Sequence, residues 1–286
     1  MKIYYYAFTG HKYGLDRARR AAAILKKLRA KGFNTMLLVN DFRAGLATRD
    51  LGVPESVHIE GIQDIDAIAE NGDIVIIDSP EDDHGRLVKY CADFKKVFRF
   101  AEHDDDKSIH GEIMLTINGA GNTLSSLIVD DLYFEKKDKE TRTLFFLGDS
   151  DANKTILSNS NFFKENEMEL LLGHYFYVKY ENDLSKIFKK LHESDEYKDL
   201  ILSSTNIVTA SFQTALEASV AGANVIYIDI ENLNALELSL FNSMNIGIVK
   251  GFDTVLYKKI KLNYNYKKCV NLEKIDKITD EMIDMF

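Results

Sequence analysis

Residues 207–228 constrain the fold more than any other stretch. Ile207-Val208-Thr209-Ala210 is one short apolar run, and Val225-Ile226-Tyr227-Ile228 is a second. Between them, residues 211–221 are rich in small side chains and have the length of a short helix. Strand, tight turn, helix and strand in so few residues make a parallel crossover unit, whose sheet is covered by helices on both faces. Thr209 and Ser211 fall where the turn must be, and one acid, Glu217, lies within an otherwise apolar helix. The N-terminus of such a helix gathers unpaired N–H groups and positive dipole, which suits a phosphate. A carboxylate one turn further on can accept hydrogen bonds from ribose hydroxyls. Thr209, Ser211, Phe212 and Gln213 are therefore candidate phosphate neighbours, and Glu217 is a candidate ribose ligand.

The same alternation runs along the whole chain. Strands are expected at 2–8, 35–39, 57–60, 73–78, 96–100 and 112–117, with helices at 17–31, 65–70 and 86–94. Gly32 stands where the first helix should stop. Asp73-Ile74-Val75-Ile76-Ile77-Asp78 is the pattern of a strand buried on both faces. The charged break Glu135-Lys136-Lys137-Asp138-Lys139-Glu140 follows, and then the pattern restarts. Strands are expected at 144–147, 207–210, 225–228 and 246–249, and extended segments at 170–172 and 175–178. Helices are expected at 154–163, 184–192, 211–221, 234–244 and 274–285. A chain of 286 residues is too long for one ordinary core. The expectation is an α/β protein of two Rossmann-like domains, 1–137 and 138–286, facing a cleft, the second carrying the terminal helix. Ligands in such sheets bind beyond the carboxyl ends of the strands.

Charge and composition narrow the function. A net charge of −9 argues against a nucleic-acid partner, because neutralising phosphates takes concentrated Lys and Arg. The basic runs at 17–29 and 258–268 are local, and the first has the spacing of a solvated helix face. Two cysteines, Cys91 and Cys269, make no disulfide framework and fit a reducing cytoplasm. No apolar run approaches the length of a membrane span, so no integral membrane segment is expected. No Gly-x-Gly-x-x-Gly, Walker loop or Ser–His–Asp order is present, so no nicotinamide or ATP cofactor is indicated. The acidic clusters at 81–84 and 103–106 each include a histidine but lack the spacing of ligands on one helix face. They read as solvated loop charge, and no metal site is expected.

Three strand-to-helix loops have the character of binding loops. The first, 9–17, has two glycines, Gly10 and Gly14, and offers His11, Lys12, Tyr13 and Arg17 to a negative substrate. The second, 78–84, begins at Asp78. The third is Gly148-Asp149-Ser150-Asp151.

In order and spacing these segments resemble the UDP-sugar hydrolase of pseudaminic acid biosynthesis and its glycosyltransferase relatives of the GT-B type, over most of residues 1–250. Gly14-Leu15-Asp16-Arg17 matches that family's first glycine loop, with Gly32 at the helix end. Ile77-Asp78 matches its inner strand, Gly148-Asp149-Ser150-Asp151 its second-domain loop, and Glu217 the acid of its nucleotide helix. The resemblance implies a nucleotide sugar, UDP in the first instance, with Gly14, Gly148, Ser150, Thr209, Ser211, Phe212, Gln213, Glu217 and Asn234 on the nucleotide. The family's catalytic histidine falls on Arg17, its second glycine on Asp16, and Asp149 replaces a glycine of the next loop. An arginine stays protonated and cannot serve as a base near neutral pH. His11 on the same loop, or Asp78, is then the candidate base, while Arg17 or Lys12 would stabilise the diphosphate leaving group. The function implied is an enzyme of surface-glycan or nonulosonic-acid biosynthesis that transfers or hydrolyses a glycosyl group. The alternatives are a non-catalytic relative acting as a binding or partner protein and, third, an epimerase-like enzyme needing carboxylates at the cleft.

Overall fold

The computed structural model describes residues 1–263, 272 and 274–286; Cys269 and the second half of the basic run at 258–268 lie outside them. The chain divides into two compact units, one of residues Met1–Asp131 with the C-terminal helix, the other Leu132–Leu272. Among the described residues no helix is long and apolar enough to cross a membrane.

The first unit runs β1 (Ile3–Ala7), α1 (Asp16–Ala30), β2 (Thr35–Val39), α2 (Phe42–Asp50), β3 (Ser56–His58), β4 (Ile74–Asp78), α3 (Arg86–Asp93), β5 (Lys96–Phe100), β6 (Ile113–Thr116) and β7 (Leu124–Ser125). All pair in parallel in the order β3-β2-β1-β4-β5-β6-β7. β1 and β4 are buried at every position, which is why both read as continuous apolar runs. Three consecutive tyrosines survive in β1 because each hydroxyl finds an acceptor. Tyr4 donates to the Ile68 carbonyl at 3.2 Å, Tyr5 to Asp78 at 2.8 Å and Tyr6 to Glu81 at 2.5 Å. α1 lays Ala18, Ala21, Ala22, Leu25 and Leu28 inward. It ends as expected at Gly32, whose φ is +90°. The Gly32 N–H bonds to the Arg29 carbonyl at 3.0 Å and the Phe33 N–H to that of Leu28 at 3.1 Å, the double closure of a Schellman stop.

The second unit repeats the plan with β8 (Glu140–Phe146), α4 (Thr155–Ser158), α5 (Ser160–Asn166), β9 (Glu169–Leu171), α6 (Val178–Leu184), β10 (Leu191–His192), α7 (Tyr197–Ser203), β11 (Ser204–Thr209), α8 (Phe212–Val220), β12 (Asn224–Asp229), α9 (Ala235–Ser243), β13 (Gly247–Lys250) and α10 (Thr254–Asn263). Its parallel sheet has the order β10-β9-β8-β11-β12-β13. Each unit thus starts in the middle of its sheet, winds one way, and crosses back, the doubly wound Rossmann arrangement. The second core is aromatic: Phe145 meets Phe163 at 4.6 Å, and Phe162 meets Tyr257 at 5.3 Å.

Several expectations are corrected. The terminal helix, α11 (Ile275–Asp284), belongs to the first unit, not the second. Its Ile275, Ile278 and Met282 are buried, and Lys27 and Lys31 of α1 pair with Asp276 and Asp280. The face of α1 read as solvated is therefore a strip of partners. Lys26 and Lys27 also bind Asp130 and Asp131, so the units divide between Asp131 and Leu132, ahead of the charged break. Residues 175–178 form no strand and 184–192 form no helix of their own: α6 begins at Val178 and ends at Leu184, and β10 follows at Leu191–His192. Phe176 and Tyr180 are drawn into the aromatic core, and that packing overrides local strand preference. Finally, the acids at 81–84 and 103–106 are not simply solvated. Glu81 accepts from Tyr6 and Ser79, while Asp82, Asp83 and Asp106 accept backbone N–H groups of their own loops.

Candidate functional site

In a doubly wound sheet the ligand crevice opens where the strand order reverses. In the second unit that point lies between β8 and β11. The loops leaving them carry Gly148 and Ser150 on one side, and Thr209, Ser211, Phe212 and Gln213 on the other. Asn234 leaves the next strand over, β12. The structure therefore brings these nominated residues to one end of one sheet, while Gly14, nominated with them, lies in the first unit.

The start of α8 is built from hydroxyls. Ser211 is its N-cap, accepting the Thr214 N–H at 3.0 Å, and the Thr209 hydroxyl oxygen accepts the Ser211 N–H at 3.0 Å. A chain of donors runs inward from there. Ser211 Oγ donates to Thr214 Oγ1 at 2.8 Å, which meets the Tyr197 hydroxyl at 2.8 Å, and Tyr197 donates to Glu217 Oε2 at 2.7 Å. With one proton per hydroxyl, that order is consistent only if Thr214 donates to Tyr197. Glu217 Oε1 accepts from Gln213 Nε2 at 2.9 Å, one helical turn back. Glu217 is 2% exposed and Gln213 is 2% exposed, so the nominated ribose ligand sits inside the protein with both oxygens engaged. Phe212 stacks on Phe241 at 4.9 Å. Asn234 is the N-cap of α9 in a reciprocal capping box with Glu237, so its side chain has a structural use already.

The loop after β8 is held by its neighbours. Gly148 has φ +149°, open to glycine alone. Asp149 is 2% exposed and meets His174 Nδ1 at 3.0 Å. Asp151 accepts the N–H groups of Thr155 at 2.6 Å and Ile156 at 3.0 Å and the Tyr180 hydroxyl. Burial and then that carboxylate raise the Tyr180 hydroxyl's pKa, so it remains a donor.

In the first unit the reversal lies between β1 and β4. Gly14 closes a tight turn onto the Gly10 carbonyl at 2.9 Å, with φ +67°. Asp78 is fully buried and accepts from Arg20 Nε at 3.0 Å and Nη2 at 2.8 Å and from Tyr5 at 2.8 Å; Arg17 Nε lies 3.3 Å away as an ion pair without hydrogen-bond geometry. Arg17 also reaches Glu102 at 2.6 Å. Burial works against the charge on Arg20, but Asp78 outweighs it and the pKa is raised. Burial and Asp78 together push the Tyr5 hydroxyl well above its ordinary value. The nominated Arg17 and Asp78 are thus partners. His11 is not among them; its Nε2 lies 3.4 Å from Arg43 Nη1 on an exposed face. Tyr5, Arg20, Glu102, His174 and Tyr197 were not foreseen. Arg20, three residues after Arg17 on one helix face, was the one signal available for the first cluster.

No protein-family signature matches the sequence, and no curated relative matches it. Solved structures do match over the full chain. The glycosyltransferase VinC, in complex with dTDP, aligns at 10% identity and TM-score 0.61, covering 100% of this chain and 99% of that one. UDP-GlcNAc 2-epimerase of Methanocaldococcus jannaschii, in complex with UDP-GlcNAc and UDP, aligns at 12% identity and TM-score 0.62, with 100% and 99% covered. The glycosyltransferase SnogD of Streptomyces nogalater aligns at 12% identity and TM-score 0.59, with 100% and 99% covered. The chain shares with them the α/β fold of two Rossmann-like domains.

Proposed function

We propose that the protein binds a nucleotide sugar, UDP-linked in the first instance, and transfers or hydrolyses its glycosyl group in surface-glycan or nonulosonic-acid biosynthesis. The observation that carries this reading is the chain Ser211–Thr214–Tyr197–Glu217 at the reversal point of the second sheet. It fixes a capped helix N-terminus and a carboxylate between one and two turns further on, at the sheet edge where nucleotides bind in this architecture. Phosphates would meet the first turn of α8, and Glu217, 2% exposed and already accepting from Tyr197 and Gln213, would meet the ribose with the acceptor capacity its two oxygens have left. The shared fold supports the reading, because VinC and the M. jannaschii epimerase were solved with dTDP and with UDP-GlcNAc and UDP. In the first unit, Arg17 would anchor a phosphate or a sugar carboxylate, and His11 is the residue of that loop suited to shuttle a proton.

One observation favours the non-catalytic alternative. Arg17 and Arg20 are balanced by Asp78 and Glu102, and none of these four charged groups is an imidazole. A thermal-shift screen against UDP, CDP, GDP, dTDP and their sugars tests binding. A ligand at a hundred times its Kd stabilises the folded state by about 2.7 kcal/mol. Nucleotide release from the sugar that binds then separates the two readings: turnover lowered roughly 100-fold in His11→Ala supports the enzyme. Binding without turnover supports a non-catalytic binding protein, and no shift with any nucleotide refutes the nucleotide-sugar enzyme and favours the partner protein.

A further inference from the structure

Asp149 and His174 form a pair that none of the roles above uses. Asp149 follows β8 and His174 follows β9, two neighbouring parallel strands, so both loops leave one edge of the sheet. The Asp149 side chain is 1% exposed and that of His174 is 25% exposed. Their apposition is built into the backbone. The Tyr175 N–H donates to the Asp149 carbonyl at 2.9 Å. A Cβ at Gly173 would fall 2.4 Å from both the carbonyl carbon and oxygen of Asp149, so only glycine lets the two loops approach. Asp149 holds the ring through Nδ1 at 3.0 Å. The other nitrogen, Nε2, has no hydrogen bond among the described residues and is not among the buried unsatisfied atoms.

The loop after β9 leaves the same end of the parallel sheet as the start of α8. β8 lies between β9 and β11, which places His174 two strand spacings, about 10 Å, from the end of β11. An imidazole carrying both protons donates from each nitrogen. With Nδ1 taken by Asp149, Nε2 is the ring nitrogen left to a ligand. We propose that His174, positioned by Asp149, contacts a phosphate of the bound nucleotide through Nε2–H. The proposal rests on the reading that the second unit takes the nucleotide, and it adds a phosphate contact on the side of β8 away from α8.

The test is calorimetric binding of UDP and inorganic pyrophosphate, with uridine affinity measured by NMR, to the full-length wild type, His174→Gln, Asp149→Asn and the double variant. Thermal melts check that each is folded, and His174→Asn stands in if the Gln variant is not. Loss of one charge-assisted hydrogen bond should weaken UDP and pyrophosphate roughly ten- to hundredfold in His174→Gln and leave uridine unchanged. Asp149→Asn should weaken UDP too, and the double variant should be no weaker than His174→Gln, because Asp149 acts through the ring. In the UDP complex both His174 ring nitrogens should carry protons by 15N chemical shift. His174→Gln binding UDP as tightly as wild type, or losing uridine as much as UDP, overturns the contact while the nucleotide site stands. A wild type that takes up neither UDP nor pyrophosphate overturns the site and the contact together.

Discussion

Replacing Glu217 tests whether the start of α8 is organised around its carboxylate. Glu217, Gln213 and Tyr197 are all buried, at 2%, 2% and 4% exposure. Glu217→Ala removes the acceptor of the Tyr197 hydroxyl and of Gln213 Nε2, at 2.7 and 2.9 Å. A buried donor left without an acceptor costs about 1–3 kcal/mol, so two cost roughly 2–6 kcal/mol, to which the lost side-chain packing adds. The hydroxyl chain adds a direction: its protons all point toward Glu217, so losing the terminus leaves Ser211 and Thr214 to rearrange. Glu217→Gln keeps one oxygen acceptor and should cost about half as much. Urea unfolding followed by circular dichroism measures both, read as a lowered midpoint at unchanged slope. Glu217→Ala within about 1 kcal/mol of wild type would show that the carboxylate does not organise this turn. For binding, Glu217→Gln is the variant of choice because it should remain folded. UDP affinity should fall by about 1–3 kcal/mol if a charge-assisted ribose contact is lost, and unchanged affinity removes Glu217 from the ribose.

Asp78→Asn should destabilise the first unit by about 3–5 kcal/mol in denaturant titration, since it takes the shared buried counter-charge from Arg17 and Arg20; a loss below about 1 kcal/mol contradicts the cluster's role. Gly173→Ala should cost about 1–3 kcal/mol from overpacking, because its Cβ would meet the Asp149 backbone at 2.4 Å; wild-type stability would show that the two loops are not locked. Asp276 is held below its ordinary pKa by its hydrogen bond to Lys27, so its pairing is complete above about pH 4 and is lost as pH falls through the lowered value. Amide exchange in α11, corrected for intrinsic rates, should accelerate below that pH and stay flat between about pH 6 and 8; an α11 unaffected by acid would mean that its apolar face alone docks it.

Much of this was legible because the signals are local. The run at 73–78 reads as a buried strand because both faces of β4 are covered, and Gly32 reads as a stop because α1 ends in a turn that needs a left-handed residue. Ser211 and Glu217 could be placed on one helix from spacing alone. What failed depends on distant partners. Nothing near residues 175–178 says that Phe176 and Tyr180 will enter a core with Phe162 and Phe163, or that Tyr180 will bind Asp151. The terminal helix follows the second unit in sequence, yet its acids match lysines about 250 positions earlier. Arg20 and Asp78 are 58 residues apart, and Tyr197 is 20 residues from Glu217. Both pairs are made by strand order, which sets neighbours across the sheet rather than along the chain.

Hydrogen exchange read by mass spectrometry, with and without the nucleotide that gives the largest thermal shift, tests the central claim most directly. A ligand seated at the reversal point of the second sheet should slow exchange in residues 148–151, 173–175 and 210–217, with the rest of α8 following as its turn is held. Protection confined to the loops after β1 and β4, or no change in the second unit at saturating nucleotide, would contradict it.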